Sequence, residues 1–160
     1  MEFTPENKKK IEEILKRYPE GKVGRQAALL PVLRLAQEQF GYLSEEAMLT
    51  VAQVLDLSPA SIYGVATFYT LFNKKPVGKY HLQVCANLSC CMEGAEKVVK
   101  HLEEKLGIVP GETTADNRFT LSEVECLAAC GTGPVIQVNE NYHEKIKTPE
   151  DVDRLLEKLR

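Results

Sequence analysis

Two short stretches carry the chemistry of this chain. "VCANLSCCMEG", residues 84–94, holds Cys85, Cys90 and Cys91, and "ECLAACGTGP", residues 125–134, holds Cys126 and Cys130; the chain has no other cysteine. The spacings are Cys-x4-Cys from 85 to 90 and Cys-x3-Cys from 126 to 130. Loops of this length can wrap a metal centre and turn successive backbone N–H groups toward sulfur, which stabilises thiolate charge. Four thiolates on two loops meet the ligand count of a [2Fe–2S] cluster, a [4Fe–4S] cluster or a structural zinc. Zinc loops favour Cys-x2-Cys knuckles, and neither pair has that spacing. A dithiol redox motif needs Cys-x-x-Cys, which is absent. A Rieske centre needs two histidine ligands, and His81, His101 and His143 all lie outside the cysteine loops.

An odd thiol count means that one cysteine is surplus. If a helix begins near Cys91, then Cys91, Ala95, Val98 and Leu102 form its apolar stripe, and Cys91 becomes a small core residue. Adjacent helical side chains diverge by about 100°, so Cys90 then faces the loop that starts at Cys85. The expected ligands are Cys85, Cys90, Cys126 and Cys130, with Cys91 a bystander.

The elements that must position these loops follow from periodicity. Residues 4–72 read as a helical bundle of four short helices. Thr4-Pro5, Ser44 and Ser58-Pro59 are N-terminal signals, and Leu29, Leu30, Leu33, Ala36 and Phe40 form a stripe that Gly41 closes. Pro31 is tolerable only if that helix starts near Ala27 or Ala28. After "NKKPVGK" the pattern changes. Tyr80, Leu82 and Val84 alternate against His81 and Gln83, a half-buried strand. A helix follows over 92–106, then strands in "RFTLSEVEC", "VIQVN" and "YHEKI", and a last helix after Thr148-Pro149. The order β-α-β-β-β-α makes this an α+β chain: a helical bundle domain over 1–76, then an α/β domain with a small mixed sheet over 77–160.

Composition fits that reading. Apolar residues make up 44% and charged residues 27% of 160, as in globular chains. A net charge of −3 leaves no electrostatic footprint for nucleic acid. The run "AALLPVL" is too short to span a bilayer, and the N-terminus lacks the apolar core of a secretory signal. The expected setting is the cytoplasm, where clustered thiols signal metal or redox chemistry rather than disulfides. Tyr63, Phe68, Tyr69 and Phe72 crowd one region, either as internal packing or as a surface for a partner. No phosphate-binding loop or catalytic triad is legible, and no catalytic residue is expected. The cysteine loops carry no Lys or Arg, with Glu93 and Glu125 nearby, which predicts a low potential for a bound cluster.

"HLQVCANLSC", "GAEKVVKHLEEKLGI" and "PGETTADNRFTLSEVECLAACGTGPVIQVN", with "FGYLSEEA" and "GVATFYTLF" upstream, resemble the thioredoxin-like [2Fe–2S] subunit of respiratory complex I, the NuoE-type subunit of NADH:quinone oxidoreductase. The resemblance implies one [2Fe–2S] cluster on Cys85, Cys90, Cys126 and Cys130, in a thioredoxin-like domain. It also implies a NuoF-type partner that carries FMN, the NADH site and a [4Fe–4S] cluster, within the larger peripheral arm of the complex. The cluster would exchange single electrons with FMN, off the main electron path. The chain would sit on the cytoplasmic side of the inner membrane through the complex, without inserting into it. Relatives often have Gly where this chain has Ala128, and Ala where it has Gly133, which bears on the potential. NAD-reducing hydrogenases and NAD-linked formate dehydrogenases contain a similar subunit. A free-standing thioredoxin-like ferredoxin is the rival of another class.

Overall fold

The computed structural model describes residues 1–159. They form two compact units, residues 1–76 and the chain from Val77 onward.

In the first unit, local signals start each helix. The Thr4 hydroxyl accepts from the Asn7 N–H at 3.2 Å and opens α1 (Pro5–Leu15), which buries Ile11. Between the helix that Thr4-Pro5 opens and the helix of the Leu29 stripe the chain inserts a short helix, α2 (Lys22–Ala27), so the unit has five helices rather than the four expected. Gly24 explains how it fits: a Cβ there would lie 1.7 Å from the Pro19 carbonyl oxygen, so only glycine permits the approach. The third helix, α3 (Leu29–Phe40), begins at Leu29 and leaves Pro31 in its first turn, where the missing N–H costs nothing. Ser44 and Ser58 cap α4 (Glu45–Leu55) and α5 (Pro59–Phe68) through their hydroxyls. Leu33, Leu43, Val51, Leu55 and Ile62 are fully buried between them.

The aromatic group divides. Phe72 is buried in this core, while Phe68 is 77% and Tyr63 56% exposed, with Leu71 also outward. Internal packing therefore accounts for Phe72, and Phe68 and Tyr63 lie at the surface.

In the second unit, β1 (Tyr80–Cys85) is central. It pairs in parallel with β2 (Phe119–Val124) and antiparallel with β3 (Ile136–Val138), which pairs antiparallel with β4 (Asn141–His143). The order is β2-β1-β3-β4. Leu82 and Val84 point into the core while His81 and Gln83 are half-buried, as period-two alternation requires. The helix α7 (Ala95–Leu106) covers β1 and β2 through Val98, Val99 and Leu102, and packs against α8 (Pro149–Lys158). A reciprocal pair of bonds between Thr148 and Asp151 opens α8. The α+β class and the small mixed sheet therefore stand as expected. No helix among the described residues is long and apolar enough to cross a membrane.

His81 is expected to make this unit acid-sensitive. Its ring Nε2 shares a 2.8 Å hydrogen bond with Ser122 Oγ, and burial holds its pKa below the ordinary 6.5. The unfolded chain therefore binds the proton more readily. Stability is full above pH 6.5 and falls as the pH drops below it toward the folded-state pKa. His81→Gln is expected to flatten that loss, read as urea midpoints at pH 7.5 and 5 (His143, also lowered by burial, retains part of it). An unchanged slope would show that His81 contributes nothing.

Candidate metal centre

The parallel pairing of β1 and β2 decides where the cysteines meet. Cys85 ends β1 directly opposite Val124, the last residue of β2, and Cys126 follows two residues later. Both loops therefore leave the same edge of the sheet side by side. Bonds from the Ala86 N–H to the Val124 carbonyl (2.9 Å) and from the Cys85 N–H to the Val135 carbonyl (3.1 Å) fix the end of β1 on both flanks. Asn87 then clamps the loops together. Its Oδ1 accepts from the Leu88 N–H at 3.0 Å, opening α6 (Leu88–Met92), and its Nδ2 donates to Glu125 Oε2 at 2.9 Å.

The thiols stand as two pairs of different character. Cys85 and Cys90 are buried, each 2% exposed, against Ala95 and Leu127. Cys126 and Cys130 are exposed, with sulfurs 3.5 Å apart. Burial resists ionisation at Cys85, yet the N–H groups of Asn87 and Leu127 and the Cys90 thiol outweigh it and hold its pKa below the ordinary thiol value. Burial, with Cys85 beside it, pushes Cys90 up to about 11. At Cys126 the Ala128 N–H favours the thiolate, but Cys130 and desolvation leave the pKa raised. Gly133 gives Cys90 room: a Cβ there would come within 3.2 Å of its sulfur.

These residues fit an iron–sulfur cluster. Four thiols on adjoining loops supply its donor count, and backbone N–H groups of Asn87, Leu127, Val135 and Ala128 face three of the four sulfurs. Among the described residues no three Cys, His, Asp or Glu side chains come together to hold one metal ion; the thiols are grouped two by two. Two of the three histidines are engaged elsewhere, His81 with Ser122 and His101 with Asp153 at 2.9 Å. Of the two acidic residues near the loops, Glu93 is paired with Lys147, whereas Glu125 disfavours charge at Cys85.

Cys91 departs from expectation. The helix expected over 92–106 starts instead at Ala95, after Gly94 at φ +102°, and Cys91 lies in the separate short helix α6, so it does not join the stripe of Ala95, Val98 and Leu102. It is partly exposed, and its thiol donates to the Ala86 carbonyl at 3.2 Å. A local bond rather than core burial engages its thiol. Periodicity offered no sign of the donors Leu127 and Val135. Asn87 carried one, as an Asn just ahead of a helical turn.

The family model for thioredoxin-like [2Fe–2S] ferredoxins matches residues 11–160, beginning inside α1. The chain is 45% identical to the E-type subunit of the NADH-quinone oxidoreductase of Rickettsia bellii, over 99% of this chain and 93% of that one. It is 44% identical to the second E-type subunit of the NADH-quinone oxidoreductase of Rhizobium meliloti, over 96% and 88%. Among solved structures, NAD+-reducing [NiFe]-hydrogenase in the air-oxidized state shares the fold with a TM-score of 0.70 at 24% identity, over 82% of this chain and 22% of that chain.

Proposed function

The chain belongs to the thioredoxin-like [2Fe–2S] ferredoxin family, and from that premise we propose that it is the electron-transfer subunit of the NADH-oxidising module of an NADH-quinone oxidoreductase. Its cofactor is a [2Fe–2S] cluster, held in this proposal by Cys85, Cys90, Cys126 and Cys130. When bound, the cluster supplies reversible one-electron exchange. The chain's own residues would hold it through two buried thiols, Cys85 and Cys90, and two exposed ones, Cys126 and Cys130, which a partner could approach. No catalytic residue is assigned. FMN, the NADH site and a [4Fe–4S] cluster belong to a NuoF-type partner, and NADH, which delivers a two-electron hydride, needs that flavin before single electrons can reach this chain. The assembly would sit peripherally on the cytoplasmic face of the membrane.

The observation that carries the reading is the extent of the likeness. The matches, 45% and 44% identical overall, span 99% and 96% of this chain and so take in the helical unit as well as the cysteine loops, and a diffusing carrier needs no helical unit. Outward Phe68, Tyr63 and Leu71 on that unit give a partner an apolar surface to cover. The equivalent subunit of an NAD-reducing hydrogenase is the second reading, since the fold is shared; the higher identity to the E-type chains of NADH-quinone oxidoreductases favours the first. Domains over 1–76 and 77–160, the second holding the cluster, complete the proposal.

Anaerobically purified chain is expected to be red-brown and to bleach with dithionite but not with NADH. Adding the FMN-carrying partner should make NADH bleach it. Bleaching by NADH without a partner would overturn the assignment, and so would a colourless, zinc-loaded protein.

A further inference from the structure

We propose that Tyr142 is a positioning residue for the cluster: acting through one peptide unit, its hydroxyl strengthens the N–H···S bond at Cys126 and thereby raises the reduction potential. The inference rests on Cys126 being a ligand, as proposed above.

The geometry is a relay across a single amide. The Tyr142 hydroxyl donates to the Leu127 carbonyl at 2.9 Å, and the N–H at the other end of the same peptide unit, that of Ala128, donates to Cys126 Sγ at 3.3 Å. In a trans peptide these groups point in opposite directions, so the two bonds fix the plane of the amide from both ends. A donor on the carbonyl also polarises the amide and makes its N–H the stronger donor.

Local preference does not hold that orientation. Ala128 sits at φ +59°, a left-handed conformation unfavourable for a residue with a Cβ. Tyr142 is placed by the sheet instead, on β4 opposite Gln137 of β3. Its side chain is 48% exposed, so water could satisfy the hydroxyl without any protein acceptor. The bond therefore serves the loop rather than the tyrosine.

The sign follows from charge. Reduction adds negative charge to the cluster and its sulfurs, and an N–H···S bond stabilises the reduced form more than the oxidised one. Losing the relay lowers the potential.

The test is Tyr142→Phe in the full, cluster-loaded chain, titrated anaerobically and followed by visible absorbance. A fall of about threefold in the one-electron reduction equilibrium constant is expected, about 28 mV at 59 mV per tenfold, with the thermal midpoint unchanged. An unchanged potential overturns the proposal, whether or not the thermal midpoint moves. Cys126→Ser is titrated alongside. If it keeps the parent spectrum, Cys126 is not a ligand and the relay falls with that assignment. If it alters the spectrum while Tyr142→Phe leaves the potential alone, the relay alone is wrong.

Discussion

Alanine at Cys85, Cys90, Cys126 or Cys130, one position at a time, is expected to cut the iron and acid-labile sulfide content of the purified chain by at least roughly tenfold. The reason is stoichiometric. A cluster of this class takes four thiolate ligands, and removing one leaves an iron with an open position exposed to water and oxygen. The two pairs should fail differently. Cys126 and Cys130 are exposed, so their loss should leave the thermal midpoint of the cluster-free chain where it was. Cys85 and Cys90 are buried with Ala95 and Leu127, and their loss should also lower that midpoint slightly. Cys91→Ala is the discriminating control. Its thiol is spent on the Ala86 carbonyl, so this variant should load iron like the parent. A Cys91→Ala chain without iron, or a Cys85→Ala chain with a full complement, would overturn the ligand set.

Leu82→Ala should cost the second unit about 3 kcal/mol, a large share of the roughly 5–15 kcal/mol that holds a domain together. Leu82 is wholly buried on the central strand, hydrogen-bonded through its backbone neighbours to both β2 and β3 and packed among Val84, Leu102, Leu121 and Ile136. Those neighbours are themselves pinned by the sheet and by α7, which limits collapse into the cavity. The effect reaches the site because Cys85 lies three residues further along the same strand. Urea unfolding of the cluster-loaded chain, followed by the visible chromophore, should show the midpoint fall. Gln83→Ala, on the half-buried face, should move it by no more than about 0.5 kcal/mol. Equal effects at the two positions would mean that β1 does not hold the loops through this core.

Much of this molecule is written in short-range signals. Thr4, Ser44, Ser58 and Thr148 each sit one residue ahead of a helix and cap it through a side-chain oxygen, a contact made within three residues and so readable locally. Alternation of Leu82 and Val84 with His81 and Gln83 marks a strand for the same reason. The grouping of the thiols into two spaced pairs is also a property of the linear chain. What the chain could not disclose depends on contacts between distant residues. The helix α2 exists because Gly24 can lie against the Pro19 carbonyl, a packing event without a periodic trace. Gly94 reads as an ordinary glycine, yet its left-handed turn separates α6 from α7 and decides that Cys90, not Cys91, is buried. Above all, parallel registry of Cys85 with Val124 brings the two loops to one edge of the sheet, and β4 brings Tyr142 to Leu127 across 15 residues. Residue types and spacing fix what the cysteines can bind. Strand order and register, set by burial over the whole sheet, fix whether they meet and which backbone N–H groups face them.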